Sequence, residues 1–206
     1  MSILALASGS GSNFQALLDD ARIRESLVGL ICNRPGAGCL ARAEAAQVPH
    51  HLIDHRSFAD REQFDQALAK TIRQIQPDWI VMAGFMRILS EPFMREFEGQ
   101  ILNIHPSLLP KYKGLNTHQR AIDAGDTQAG VSVHWATAEL DGGPIIAQRR
   151  VPIQPGDTAS DLASRVLAQE HQVYPTVCHA LLDQRLALRD GQTYLDDRPL
   201  IDLNRF

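Results

Sequence analysis

Apolar residues arrive in short runs separated by stretches of helical spacing, and this pattern sets the expected architecture. Ile3–Ala7, Leu27–Cys32 and Trp79–Ala83 offer no polar face, and Ile101–Ile104 is interrupted only by Asn103. Strands apolar on both faces belong to parallel sheets covered by helices on either side. Between them, helical patterns run from Ser12 to about Arg22, from about Ala37 to Gln47, and from Phe58 to Gln76. In the last of these Phe64, Ala67, Leu68, Thr71, Ile72 and Ile75 recur at helical spacing. A short third strand is expected over His51–Ile53. Strand and helix in alternation imply βαβ units with right-handed crossovers. The first half therefore reads as an α/β, doubly wound, mostly parallel sheet of Rossmann-like type.

The second half changes period. Val131, Val133 and Trp135 alternate with Ser132, His134 and Ala136, as in a half-buried strand. A run from Ile145 to Ile153 is placed to pair with it antiparallel across Asp141-Gly142-Gly143. A long helix is expected from Asp157-Thr158, with either side-chain oxygen as cap, to about Gln184. Asp190-Gly191 marks a hairpin in an antiparallel C-terminal extension.

No repeat, low-complexity tract or linker divides the 206 residues, so one domain is expected. Its N-terminal half covers about residues 1–100 and its C-terminal half about 101–206. Composition adds exclusions. With 44% hydrophobic and 21% charged residues, the chain is globular rather than disordered. A net charge of -4 leaves no basic surplus for a dedicated nucleic-acid binder. Cys32, Cys39 and Cys178 match no zinc or redox spacing and read as reduced thiols of a cytosolic protein. Ile3–Ala7 is too short to cross a membrane and lacks a basic leader, so neither a span nor a signal peptide is expected.

Three segments carry candidate chemistry. Ser8-Gly9-Ser10-Gly11-Ser12-Asn13 joins the first strand to the first helix, where backbone amides at a helix start can receive phosphate. It has neither the Lys-Ser/Thr of a P-loop nor the third glycine of a dinucleotide fingerprint, and a plain turn with Ser12 as helix cap fits it equally. Asn103 and His105 lie two apart and project the same way from the carboxyl end of a strand, where open α/β sheets bind ligands. Pro106 and Pro110 stiffen the exit loop. These two side chains suit an oxyanion and a proton transfer, although a capped strand end with a satisfied histidine is the blander alternative.

Asp141, in Glu139-Leu140-Asp141-Gly142-Gly143-Pro144, is the expected partner of His105, whose pKa it would raise; a turn aspartate is the alternative. His134 alternates opposite Trp135 and is assigned to a packed position, with a place in the same crevice as Asp141 as the alternative. His50, His51 and His55 read as surface residues, and His118, His171 and His179 as helical ones. No pair has metal-ligand spacing, so no metal is expected. Gly84-Phe85-Met86-Arg87-Ile88-Leu89 reads by default as core, or else as the wall of a flat ligand.

Taken in order, four segments resemble the phosphoribosylglycinamide formyltransferase family, folate-dependent enzymes of purine synthesis. They are Gly9-Ser10-Gly11-Ser12-Asn13, Ala83–Leu89, Leu102-Asn103-Ile104-His105-Pro106-Ser107-Leu108-Leu109-Pro110 and Glu139–Pro144. The resemblance covers nearly the whole chain. It implies transfer of the formyl group of 10-formyltetrahydrofolate to the amine of glycinamide ribonucleotide, with no metal. It assigns catalysis to Asn103, His105 and Asp141, and the ribonucleotide to Gly11, Ser12, Asn13 and Glu170. The folate site falls to Arg61, Met86, Arg87, Ile88, Leu89 and Asn103 together with Thr137, Ala138, Glu139, Leu140 and Asp141.

Departures from the family pattern are Lys113, Asn116, Leu167 and Ala138, which bear on substrate contacts rather than on the reaction. The implied partners are small molecules, without nucleic acid or membrane, and the compartment is the cytoplasm. A monomer and a homodimer both remain open. A formyltetrahydrofolate deformylase would share the trio and hand the formyl group to water. Methionyl-tRNA formyltransferase would need a further RNA-binding domain. A non-catalytic nucleotide-binding module and a dinucleotide-dependent oxidoreductase come from other classes.

Overall fold

The computed structural model describes residues 1–206. Its strands are β1 (Ile3–Ala7), β2 (Leu27–Cys32), β3 (His50–Leu52), β4 (Trp79–Met82), β5 (Ile101–His105), β6 (Gln128–Trp135), β7 (Ile145–Pro152), β8 (Leu186–Arg189), β9 (Gln192–Leu195) and β10 (Arg198–Pro199). The helices are α1 (Ser12–Asp19), α2 (Ala21–Ser26), α3 (Gly38–Ala45), α4 (Arg61–Ile75), α5 (Glu91–Glu96), α6 (Thr117–Asp123) and α7 (Ala159–Leu182). Seven strands take the order β3-β2-β1-β4-β5-β6-β7, and β8, β9 and β10 form a small second sheet. The chain divides into two compact units, residues 1–102 and 103–206.

In the first unit β1 pairs in parallel with β2 on one side and β4 on the other. All five of its residues are fully buried, the reason its sequence is apolar at every position. Removing one such Leu or Ile from water contributes about 1.5–3 kcal/mol. The expected helix from Ser12 to Arg22 is two helices. Asp20 leaves the helical region at φ -85, ψ 115 and caps α2 by accepting from the Ile23 amide at 3.0 Å. Asp60 caps α4 by accepting from the Gln63 amide at 2.8 Å, so that helix starts after Phe58, which follows a short 3-10 turn. Phe64, Leu68, Ala69 and Ile72 form its buried face.

In the second unit β6 and β7 are antiparallel, with Val131 opposite Arg149 and Val133 opposite Ala147. Thr158, not Asp157, caps α7, in a reciprocal capping box with Asp161. Asp190 and Gly191 both take positive φ, 50 and 74, and turn β8 into β9. This is the backbone requirement of the tight hairpin turn that Asp-Gly satisfies.

Candidate active site

The glycine loop of the first unit is built from backbone. Gly11 stands at the N-cap position of α1 with φ 74, a conformation that L side chains rarely adopt. A Cβ there would lie 2.7 Å from Cys39 Cβ, so the position tolerates no side chain. No side chain caps α1, which excludes Ser12 as its cap and leaves the first-turn amides without a capping side chain. From below, α3 braces the loop. The Cys39 amide donates to the Gly9 carbonyl at 3.1 Å, and Arg42 Nε donates to the Ser10 carbonyl at 2.8 Å. Arg42 also donates to Gln15 Oε1 at 2.8 Å. Asn13 is buried and Ser12 half-buried.

The segment after β4 contradicts the default reading as core. Phe85 and Leu89 are buried, but Met86 and Ile88 are 66% and 55% exposed, a wall of apolar side chains facing outward. The segment is pinned at both ends: the Met86 amide donates to Ser8 Oγ at 2.7 Å and the Ser90 amide to Asp65 Oδ2 at 2.6 Å. Arg87 lies over the Phe64 ring at 5.4 Å. Arg61, at the start of α4, is exposed and pairs with Glu62.

In the second unit the structure brings Asn103, His105 and Asp141 together. His105 Nδ1 lies 3.4 Å from Asp141 Oδ2, with both side chains only 7% exposed. His105 Nε2 donates to the Tyr112 carbonyl at 2.9 Å, which fixes the tautomer: the proton sits on Nε2 and the Nδ1 lone pair faces the carboxylate. Asp141 takes φ 47, and the Gly114 amide donates to its Oδ2 at 2.8 Å. Gly143 two residues on is obligatory, because a Cβ there would lie 1.9 Å from the Trp135 carbonyl oxygen.

His134 also joins the cluster. It is buried, as its packed assignment requires. Its Nδ1 lies 2.8 Å from the Trp135 carbonyl oxygen, and its Nε2 lies 3.2 Å from Asn103 Nδ2 and 3.7 Å from Asp141 Oδ1. An Asn103 amide hydrogen is directed at Asp141 Oδ1 over a longer 3.4 Å. Alternation opposite Trp135 was the signal for His134, and both of its placements hold: the side chain is packed and it faces Asp141. Tyr112 and Gly114 contribute backbone groups, which no residue type announces.

Burial pushes the His105 pKa down from its ordinary 6.5, outweighing the upward pull of the Tyr112 carbonyl and the Asp141 carboxylate. The expectation of a raised pKa is therefore overturned, and the resting imidazole is neutral. Asp141 behaves differently. Burial pushes its pKa up, but His134 and the Gly114 amide overcome that, and the carboxyl stays below its ordinary 3.8. An anionic carboxylate thus stands beside a neutral imidazole that can gain a proton.

The loop leading into Asp141 is exposed from Thr137 to Leu140. Thr137 Oγ1 donates to the Glu139 carbonyl at 3.3 Å, and Lys113 Nζ donates to Glu139 Oε1 at 2.6 Å. Ala138 is exposed, while Asn116 occupies the N-cap position of α6 at φ 58. Glu170 is buried on α7, one turn beyond the half-buried Leu167.

A doubly wound sheet with a partly buried amide–imidazole–carboxylate cluster at the end of β5 suits acyl transfer by an enzyme of the formyl-transferring class. The formyl transferase family model matches residues 1–178, and the chain belongs to that family. Its relatives are more particular. It is 43% identical over 203 residues to the phosphoribosylglycinamide formyltransferase of Escherichia coli (strain K12), covering 97% of this chain and 96% of that protein. It is 42% identical over 201 residues to the Haemophilus influenzae enzyme of the same name, covering 96% and 95%. The phosphoribosylglycinamide formyltransferase of Coxiella burnetii, solved in complex with CHES, superposes with a TM-score of 0.92 at 44% identity, covering 99% of this chain and 97% of that one. No helix is long and apolar enough to cross a membrane.

Proposed function

We propose that the chain transfers the formyl group of 10-formyltetrahydrofolate to the amine of glycinamide ribonucleotide, in de novo purine synthesis in the cytoplasm, as a single formyltransferase domain without a metal. The observation that carries this reading is the partly buried cluster of Asn103, His105 and Asp141, with His134 behind it.

The donor carbon is amide-like and sluggish. Attack by a neutral amine places negative charge on the formyl oxygen and positive charge on the attacking nitrogen. Asn103 Nδ2 is suited to the oxygen. Its 3.2 Å bond to His134 keeps the amide oriented, and the weaker 3.4 Å approach to Asp141 is the one it gives up to reach the oxyanion. One such donor stabilises a transition state by about 3 kcal/mol. His105 Nδ1 takes the proton from the nitrogen and passes it to N10 of the leaving folate. Asp141, 3.4 Å away, stabilises the imidazolium that exists between those two transfers.

Substrate binding is assigned by the same reading. The ribonucleotide phosphate goes to Gly11, Ser12 and Asn13, and its glycinamide end to Glu170. The folate goes to Arg61, to Met86, Arg87, Ile88 and Leu89, to Asn103, and to the loop Thr137, Ala138, Glu139, Leu140 and Asp141. Outward-facing Met86 and Ile88 support that assignment, since apolar side chains held in place by two backbone anchors suit a flat aromatic ring. A carbon label in the formyl group tests the proposal. Label recovered in the ribonucleotide is the expected result, and label recovered only as formate would make the chain a hydrolase.

A further inference from the structure

His105 and Asp141 are each held by a backbone group of one short segment, residues 111–115. The Tyr112 carbonyl accepts from His105 Nε2 at 2.9 Å, and the Gly114 amide donates to Asp141 Oδ2 at 2.8 Å. The segment lies between β5 and α6, outside any helix or strand. Tyr112 and Gly114 both take positive φ, 57 and 78. Glycine enters that region freely, but for a bulky side chain such as tyrosine it is an outlier. A backbone of this kind persists only where its surroundings hold it.

Two side chains supply the hold. Asp126, between α6 and β6, accepts from Tyr112 Oη at 2.8 Å and pairs with Lys111 Nζ through both oxygens, at 2.9 and 3.0 Å. The bonds from Lys111 and Tyr112 keep its carboxyl below the ordinary 3.8, so it stays a charged acceptor. Arg120 of α6 stands over the Tyr112 ring at 5.2 Å. Its Nη1 donates to the Lys113 carbonyl at 2.7 Å and to the Leu115 carbonyl at 3.3 Å. Asp126 thus reaches His105 through a single residue, Tyr112, whose hydroxyl it holds and whose carbonyl meets the imidazole.

We propose that Asp126 is a positioning residue: by holding Tyr112 it keeps the carbonyl on His105 Nε2 and the Nδ1 lone pair free. A neutral imidazole carries one proton and can place it on either nitrogen. The Asp141 carboxylate, 3.4 Å from Nδ1, draws that proton to Nδ1. The Tyr112 carbonyl can only accept, so it draws the proton to Nε2. The native tautomer therefore depends on the carbonyl staying in place. With its proton on Nδ1, His105 has no lone pair there to take a proton from an attacking amine. That last consequence rests on the function proposed above, whereas the choice of tautomer does not.

The test labels the histidines of the intact chain with a nitrogen isotope and locates the His105 proton by magnetic resonance, above pH 6.5 where the ring is neutral. His105→Gln assigns the signals. The native chain should carry the proton on Nε2. Tyr112→Phe keeps the ring under Arg120 and removes only the hydroxyl that Asp126 accepts. Asp126→Ala removes the same bond from the other side. In both variants the proton should move at least partly to Nδ1. Turnover should fall about tenfold, the scale of one lost hydrogen bond, while both KM values stay within about twofold. Asp126→Asn retains an oxygen for the hydroxyl and should restore the native proton position. A contact that only stabilises the fold would lower the melting temperature and leave the proton on Nε2. Retention on Nε2 in both variants would therefore overturn the proposal, whatever the kinetics. A displaced proton with unchanged kcat would uphold the clamp and remove His105 from the proposed reaction.

Discussion

The glycine loop and the cluster around Asp141 solve the problem of holding a charged species in opposite ways. The loop uses backbone amides, and its specificity lies in what is missing: no side chain at Gly11 and no side-chain cap on α1. The cluster uses side chains, and its backbone serves to aim them, through the Tyr112 carbonyl, the Gly114 amide and the positive φ of Asp141. The contrast separates two kinds of sensitivity. Adding atoms should damage the loop, whereas removing a single proton donor or charge should damage the cluster.

The largest effect expected of a truncation is in the cluster. Asn103→Ala should lower kcat by roughly 10²- to 10³-fold with little change in ribonucleotide KM, because it removes an oxyanion donor. Steady-state kinetics checks this, and an effect confined to KM would return Asn103 to a binding role.

Gly11→Ala comes next and should act on binding. Left-handed backbone costs an L residue about 1–2 kcal/mol, and the overlap with Cys39 adds to it. The ribonucleotide KM should rise by about tenfold or more while kcat holds, and the melting temperature should fall. Replacing both Ser12 and Asn13 by alanine should raise the ribonucleotide KM by less, and still more than the folate KM. Equal effects on the two substrates would count against the phosphate assignment.

Acidification should act on the cluster and spare the loop. His105 has its folded pKa below 6.5, so folding favours its neutral form. That contribution to stability is complete above pH 6.5 and is lost as pH falls from 6.5 toward the lower folded value. Asp141, held below 3.8, contributes stability that is present above 3.8 and is lost as pH falls through its folded pKa. Both shifts therefore act in the same direction. Melting temperature and kcat/KM should be level above neutrality and decline below pH 6.5, and His105→Gln should remove the first step in the melting profile. A melting profile unchanged by that substitution would contradict the shift.

The smallest effect belongs to Lys113→Ala. Its pair with Glu139 is surface-exposed, with side chains 35% and 71% accessible, and such pairs contribute about 0–1 kcal/mol. A larger change in thermal melting would show that this contact orders the Asp141 loop.

Legibility in the sequence followed the same division. Strands came through because their apolar runs are unambiguous: Leu27–Cys32 is β2 as expected, and Ile101–Ile104 lacks only His105. The break at Asp20 did not, because the helical apolar spacing continues through it and only the side-chain cap on Ile23 interrupts it. Asn103, His105 and Asp141 were legible by residue type, strand position and family resemblance. The sense of the His105 shift was not, because desolvation depends on packing that no local pattern reports. Met86 and Ile88 misled for the same reason, since an apolar run does not say which side is left uncovered.

The most direct test of this account is one variant measured two ways. Asp141→Asn keeps the size and the tolerance for positive φ of the native residue, removes the charge that stabilises the His105 imidazolium, and leaves one oxygen to accept from the Gly114 amide. Its kcat should fall by about 10³-fold, within the range of lost acid–base assistance, while Kd for folate and for ribonucleotide stays within about threefold of the unmodified chain. A normal kcat would remove Asp141 from the chemistry and leave the cluster a structural feature of the fold.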